Sequence, residues 1–246
     1  MQNTRYKISN ELRNGSLNQN NQEDKKMERQ FDQELNILKE DLLKMASLAE
    51  DAIAKSIKAL VERDSTLAQE VIDRDREINL LEIEINNQCL KLLALKQPMA
   101  VDLRFITSTM KIVSHLERIA DQAVNISQRT LELIKQPLLK PLIDIPRMAK
   151  LAQEMVITSI DSLVNKDSLL AKRIGGRDNL VDDLNDQIFR ELLTYMIEDP
   201  RTIKRAIELI LVGRHLERIA DLATNISEEV VFILNGKNIK HPNQEK

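Results

Sequence analysis

The segment His115–Ser127 has the sequence HLERIADQAVNIS, and residues 215–227 repeat it as HLERIADLATNIS with only two positions changed. The copies start 100 residues apart (215 minus 115), in a chain of 246 residues. A close repeat at such a spacing indicates an internal duplication, which governs how the rest of the chain is interpreted. Each copy carries a Glu-x-x-x-Asp pair, followed four residues later by Asn. We therefore expect two copies of one structural unit.

The composition favours helices over strands. Hydrophobic residues make up 42% of the chain and charged residues 30%, whereas aromatic residues make up 2% and Trp is absent. Glycine and proline, which interrupt helices, are few, with 5 and 6 residues. This combination is typical of long helices that pack along their lengths. The expected fold class is all-α.

Charge and hydropathy exclude several classes of protein. The net charge is -3, and Lys and Arg alternate with Asp and Glu instead of forming a basic run, so we expect no nucleic-acid binding. No stretch reaches the roughly 20 apolar residues of a membrane span, and the N-terminus lacks the apolar core of a signal peptide. We expect a cytoplasmic protein without membrane insertion. The single cysteine, Cys89, fits a reducing compartment and a place in a helix core.

The first half predicts three long helices. Residues 1–27 are polar and lack a hydrophobic period, so we predict a disordered tail. From Phe31 onward apolar residues alternate spacings of four and three, as in a heptad seam, and this first helix should end near Arg63. A second helix should cover about residues 66–96, ended by Pro98, and a third about residues 100–135.

The second half predicts the same arrangement. Prolines at 137, 141 and 146 mark a boundary between a first unit (28–136) and a second unit (145–237). Three further helices should cover about 147–165, 167–198 and 200–235, with the fifth helix kinked or frayed at Gly175-Gly176. Residues 60–79 align without a gap on residues 163–182. The predicted architecture is two tandem three-helix bundles related by internal duplication, with six long helices.

The repeated motif places acidic side chains in a row at the edge of the core. Residues four apart lie about 40° apart around a helix, so Glu, Asp and Asn of each copy share one face. The wheel puts Gln122 on the other side of this row, away from the core. The second helix of each unit offers a facing row: Asp75, Asn79 and Glu82 in the first unit, and Asp178, Asp182 and Asp186 in the second. Oxygen ligands without thiolates suit iron, manganese or magnesium.

Other interpretations of these rows are open. An isolated Glu-x-x-x-Asp occurs in many charged helices as solvated surface charge, and the rows could equally bind basic patches of a partner without metal. A carboxylate-bridged metalloenzyme or a metal-storage bundle is a further alternative, although the Glu-x-x-His pairs of di-iron bundles are missing. The sequence shows no Gly-rich phosphate loop and no Ser-His-Asp or Cys-His set. We therefore expect no enzymatic activity.

The ordered part of the chain resembles the PhoU family. The resemblance covers about residues 28–240 and is carried by the two ERIAD segments, the DREIN and DNLVD segments, and the turns QPMAVDLR and EDPRTIKRAIE. It implies a non-enzymatic negative regulator of phosphate uptake and phosphate-starvation signalling. It also implies that the protein couples a high-affinity phosphate ABC transporter to a sensor histidine kinase, and that it forms a homodimer.

The resemblance further implies metal clusters, of iron or zinc, at paired acidic motifs. On this sequence the motif positions are Asp75, Asn79, Glu117 and Asp121 in the first unit, and Asp178, Asp182, Glu217 and Asp221 in the second. Asn79 departs from the acidic residue of the family pattern. An amide oxygen can bind a metal but adds no charge, so we expect the first-unit site to be weaker than the second or empty.

Overall fold

The heptad seam that begins at Phe31 belongs to one long helix in a computed structural model of the protein, which describes the backbone of residues 2–237 and the side chains from Arg29 to Lys237. This helix, α1, is Gln2–Glu62 and ends one residue before the predicted position. The side chains of residues 1–28 lie outside the described part of the structure. The disordered tail expected over residues 1–27 therefore stays a prediction.

The other helices lie close to the predicted ranges. The described residues form no strand. After α1 the order is α2 (Ser65–Lys96), α3 (Ala100–Ile134), α4 (Asp144–Val164), α5 (Ser168–Ile174), α6 (Asp178–Glu198), a 3-10 turn (Pro200–Thr202) and α7 (Ile203–Asn235). The all-α prediction is confirmed.

The two units use the same cap at the same place. Asp64 accepts hydrogen bonds from the backbone N–H of Thr66 and Leu67 at the start of α2, at 2.8 and 3.0 Å. Asp167 accepts the equivalent pair at the start of α5, at 2.9 and 3.0 Å. Such N-caps satisfy backbone donors that have no partner inside the helix. The shared cap supports the duplication seen in the sequence.

The helix predicted over about 167–198 is interrupted. It stops at Ile174, and α6 begins at Asp178, so the glycine pair Gly175-Gly176 separates two helices instead of kinking one. Glycine loses more backbone entropy in a helix than any other residue, and both glycines are exposed, so no packing compensates for that cost. One consequence is that Asp178 lies in the first turn of its helix.

Helices α3 and α7 run antiparallel and join the two units. Arg129 on α3 pairs with Glu208 on α7 at 3.1 Å, and Ser108 on α3 donates to Glu229 on α7 at 3.1 Å. With the repeat spacing of 100 residues, Arg129 corresponds to Glu229 and Glu208 corresponds to Ser108, so the two contacts occupy equivalent positions. The interface therefore has the approximate two-fold symmetry of the duplication. The buried apolar side chains of both units form one continuous core around it.

This interface explains one wrong expectation from the helical wheel. Gln122 was expected on the side away from the core, yet it is buried, and a 2.9 Å hydrogen bond joins its Oε1 to Nδ1 of His215. Its counterpart Leu222 is also buried. Helix α3 is covered on two sides, by α2 and α1 of its own unit and by α7 of the other. A wheel drawn for one bundle cannot show the second contact.

None of the helices in the described part of the chain has an apolar stretch long enough to cross a membrane. Cys89 is buried in α2, as its place on the apolar stripe predicted.

Candidate functional site

The predicted residues of the first unit lie on α2 and α3. Asp75 and Asn79 are half-buried on α2, and the Asn79 amide donates a 2.8 Å hydrogen bond to Oδ2 of Asp75. The remaining oxygens of this pair, Oδ1 of Asp75 and Oδ1 of Asn79, are buried and have no hydrogen-bond partner among the described residues. A buried acceptor without a donor is costly, so we expect an ordered water or a bound cation at such a group.

Helix α3 brings its acids against this pair. Partial burial raises the pKa of Glu117 to about 7, and the charges of Asp121, Glu82 and Asp75 add to the effect. Partial burial followed by the charge of Asp75 raises the pKa of Asp121. Partial burial followed by the charge of Asp121 raises the pKa of Glu82. Four carboxylates thus share one region between α2 and α3, and each added negative charge makes the next one less favourable.

The second unit gathers the equivalent residues of α6 and α7. Partial burial raises the pKa of Asp178 to about 6, and the charges of Asp221, Asp182 and Glu217 contribute. Removal from water raises the pKa of Glu217 and of Asp221, with the charge of Asp182 as the next cause for both. Oδ1 of Asp178 is buried and, within the described residues, has no hydrogen-bond partner. Asp182 and Asp221 are more exposed than their partners.

One residue of the second cluster escaped the sequence analysis. Asn185 donates a 2.5 Å hydrogen bond to Oε2 of Glu217, whereas Asp186, which was expected near the site, is exposed and faces Arg190 at 3.9 Å. Helix α7 accommodates Asn185 through Gly213, because a Cβ there would lie 2.5 Å from the Asn185 amide oxygen. The expectation for Asp186 was wrong because one residue along a helix turns the side chain by about 100°.

The two clusters occupy equivalent positions in the duplicated units, but a carboxylate of one cluster corresponds to an amide of the other at two positions. The gapless alignment pairs Asn79 with Asp182, and its continuation pairs Glu82 with Asn185. Each cluster therefore has four carboxylates and one amide, with the amide at different positions. The absence of charge at Asn79, which led us to expect a weaker first site, is balanced by Glu82. Extending the alignment by three residues would have identified Asn185.

Arginines of the same helices offset part of the negative charge. Arg118 favours the charged forms of Glu117 and Asp121, and Arg218 does the same for Asp221. The pKa of each of these acids is nevertheless raised, so burial and like charge outweigh the arginines. The neighbouring arginines therefore do not fully compensate the negative charge of either cluster.

The oxygen donors of the clusters suit a hard or borderline cation, but in the described structure they lie too far apart to bind one together. In the part of the chain whose side chains are described, no group of three His, Cys, Asp or Glu residues is close enough to hold a metal ion. The facing acids interact electrostatically across the helix pair without forming a coordination shell. Oxygen donors, raised carboxyl pKa values and unpartnered buried oxygens nonetheless occur together in both clusters.

Comparison with known proteins assigns the family. The PhoU domain model matches the chain twice, over residues 42–130 and 145–230. The chain belongs to the PhoU family. Both matches lie inside the units that the sequence analysis placed at 28–136 and 145–237. Each match contains one complete acidic cluster, so the duplicated PhoU domain is also the repeat of the site.

Similar PhoU proteins cover most of the chain. The phosphate-specific transport system accessory protein PhoU homolog of Aquifex aeolicus is 46% identical over 208 residues, covering 85% of this chain and 94% of that protein. The crystal structure of PhoU from Pseudomonas aeruginosa has a TM-score of 0.81 at 37% identity, covering 84% of this chain and 100% of that one. The PhoU structure from Streptococcus pneumoniae, described as a phosphate transport system regulatory protein, has a TM-score of 0.79 at 29% identity, covering 85% and 99%.

Proposed function

We propose that this protein is an accessory regulator of phosphate-specific transport and a negative regulator of phosphate-starvation signalling. The observation that carries the proposal is the duplicated PhoU domain, together with relatives that match along most of the chain and are named as accessory proteins of that transport system. In this function the protein links the ATPase of a phosphate ABC transporter to a sensor histidine kinase at the cytoplasmic face of the membrane, and acts as a homodimer.

Exposed apolar side chains support a role in protein contacts. The turn between α2 and α3 presents Leu95, Met99 and Val101 with 65%, 79% and 61% of their surface exposed. The equivalent turn after α6 presents Ile197, which is 75% exposed. Neighbouring apolar side chains of this exposure are common at protein interfaces. The two turns belong to different units, so the chain offers two such surfaces.

Deletion of the gene tests the regulatory role. Without the protein, phosphate-starvation genes should be expressed in phosphate-rich medium, and a plasmid copy of the wild-type gene should restore repression. Repression that persists without the gene would contradict the proposal. Size-exclusion chromatography with light scattering tests the dimer, and a monomeric mass at micromolar concentration would contradict that part alone.

The acidic clusters are proposed to bind metal ions. The first site would use Asp75, Asn79, Glu117 and Asp121 together with Glu82, and the second Asp178, Asp182, Glu217 and Asp221 together with Asn185. A bound cation would supply the positive charge that these carboxylates lack and a partner for the unpartnered oxygens of Asp75, Asn79 and Asp178. Iron or zinc follows from the family resemblance, and manganese or magnesium fits the same oxygen donors.

Metal analysis of protein purified without chelator tests this proposal. The double variant Glu117→Ala/Glu217→Ala should lose the metal that wild-type protein retains. A matched control is Glu84→Ala/Asp183→Ala, because both residues are exposed acids on the same second helices, α2 and α6. Full metal content in the first double variant would refute the ligand assignment, and equal loss in the control would show that the effect is general rather than local.

A further inference from the structure

A cavity of about 310 Å³ lies at the end of the second unit, where α1, α3, the end of α4 and the end of α7 meet. Its volume falls within the range of sites that bind small molecules or peptide side chains. The cavity wall is largely apolar and consists mainly of Leu42, Leu43, Phe105, Leu163, Ile233 and Leu234. It lies apart from the acidic clusters and has no role in the function proposed above.

The duplication provides a filled counterpart of this cavity. Leu163, Ile233 and Leu234 correspond to Leu60, Leu133 and Ile134, which line the equivalent place in the first unit. There the free space is only about 10 Å³, because the segment Pro137–Leu142, which follows α3, packs into it with its leucines. Leu139 and Leu142 contact the hydrophobic core from this position. The first unit thus shows what fills such a cavity: a non-helical segment that contains two prolines and three leucines.

The basic residues beside the filled and the open cavity have different partners. In the first unit, Arg63 donates hydrogen bonds to the carbonyl oxygens of Leu133 and Ile134 at the end of α3 and of Gln136, the residue just before the filling segment. Its counterpart is Lys166, with a similar left-handed backbone, φ 52° against 58°. Lys166 and Lys39 both line the second cavity, and neither forms an ion pair with any other described residue. Lys39 contacts Asn36 and the ring of Phe105, and within the described residues neither lysine has an acidic partner.

We propose that this cavity binds an extended segment of a partner protein that carries two or three large aliphatic side chains next to acidic residues. The aliphatic side chains take the place that the linker leucines occupy in the first unit, and the acids face Lys39 and Lys166. The chain's own C-terminal sequence fits this description poorly. Beyond α7 it contains a single large aliphatic residue, Ile239, between Lys237 and Lys240. The positive charges beside Ile239 do not complement the two lysines of the cavity.

The linker itself supplies the probe. A fluorescently labelled peptide EQPLLEPLE keeps the leucines of the linker and replaces its lysine by glutamate. Fluorescence anisotropy with the full-length protein should show saturable binding. The peptide EQPSSEPSE should bind at least about tenfold more weakly, because it loses the apolar side chains. The peptide KQPLLKPLK should bind about threefold to tenfold more weakly, and binding of the acidic peptide should weaken as salt is added.

A matched pair of variants locates the binding. Val164 borders the cavity and is 54% exposed, so Val164→Glu places a negative charge there without burying it, and should weaken binding of the acidic peptide at least tenfold. Val61 is the duplicated position in the first unit, is 47% exposed, and Val61→Glu should leave binding unchanged. Equal binding by Val164→Glu and wild type, or by the leucine and serine peptides, would overturn the proposal. So would binding that tightens tenfold in Ile239→Asp, since the chain's own C-terminus would then be the occupant.

Discussion

Replacing one carboxylate of the first cluster should make the metal-free protein more stable. Glu117 lies half-buried on α3, one turn before Asp121 and opposite Asp75 and Glu82 of α2, and its pKa is raised from 4.5 to about 7. Glutamine has nearly the same shape and no charge. Glu117→Gln therefore removes the cost of burying this charge and its repulsion by the neighbouring acids, while it keeps the packing. A gain in stability indicates a cluster of uncompensated charge, and a loss indicates a structural ion pair.

The size of the effect follows from the pKa difference. A shift of 2.5 units (7 minus 4.5) at 1.36 kcal/mol per unit gives about 3.4 kcal/mol without screening. Because Glu117 is partly exposed, screening by water reduces this to about 1–2 kcal/mol. The native state keeps its proton up to pH 7, whereas the unfolded state loses it near 4.5. The stability of wild type therefore falls between these pH values and stays low above pH 7.

Urea unfolding followed by circular dichroism, in the presence of a chelator, measures this effect. At pH 8 the unfolding free energy of Glu117→Gln should exceed that of wild type by about 1–2 kcal/mol, and at pH 5 the difference should shrink to a few tenths. Glu84→Gln, at an exposed position of α2, serves as the control and should change little at either pH. The chelator is essential, because a metal bound to the native state would stabilise wild type instead.

Two results would refute this reasoning. If Glu117→Gln is no more stable than wild type at pH 8, burial and the neighbouring acids do not destabilise the charged form of Glu117 in the folded protein. If the gain is the same at pH 5 and pH 8, it arises from packing and not from charge. Either result would also remove the main electrostatic argument for a cation at this site.

Two further predictions concern the second unit and the interface. Gly213→Ala should displace Asn185 and break its hydrogen bond to Glu217. The pKa of Glu217 should then rise further, which carboxyl-carbon NMR measures. The unfolding free energy should stay within about 1 kcal/mol of wild type, because alanine favours the helix by about as much as the lost hydrogen bond costs. An unshifted Glu217 titration would contradict this. Gln122→Leu should lower the unfolding free energy by about 1–3 kcal/mol, because Nδ1 of His215 loses its buried partner, and unchanged urea unfolding would show that water replaces it.

The ends of the helices could be predicted from the sequence to within a few residues, except the start of α1 and the break inside the helix predicted over 167–198. Their ends are marked by residues that act locally: the caps Asp64 and Asp167, and the prolines at 98, 137 and 200. The heptad seam from Phe31 indicated packing along the helix length, which the buried Leu35, Leu38 and Leu42 confirm. The break after Ile174 was predicted as a kink or fraying and not as two separate helices, since glycine lowers helix stability without deciding whether tertiary contacts compensate.

The membership of the acidic clusters was predicted less completely. A repeated motif and a four-residue spacing identified the acids of α3 and α7, because one helix places such residues on one face whatever it packs against. The partners on α2 and α6 depend on the relative rotation and height of two helices. Asn185 was therefore missed and Asp186 chosen instead, although the duplication contained the information needed to prefer Asn185.

The sequence by itself determined the duplication, which is visible as a repeated motif. It also determined the helices and the acidic rows of α3 and α7, because these depend on residues close along the chain. Tertiary structure alone decided that α3 and α7 pair across an approximate two-fold axis and bury Gln122 and Leu222. It also decided that the linker leucines fill a cavity in the first unit while the duplicated cavity in the second stays open. These features join residues distant in sequence, and their geometry follows from how whole helices pack and not from any local pattern.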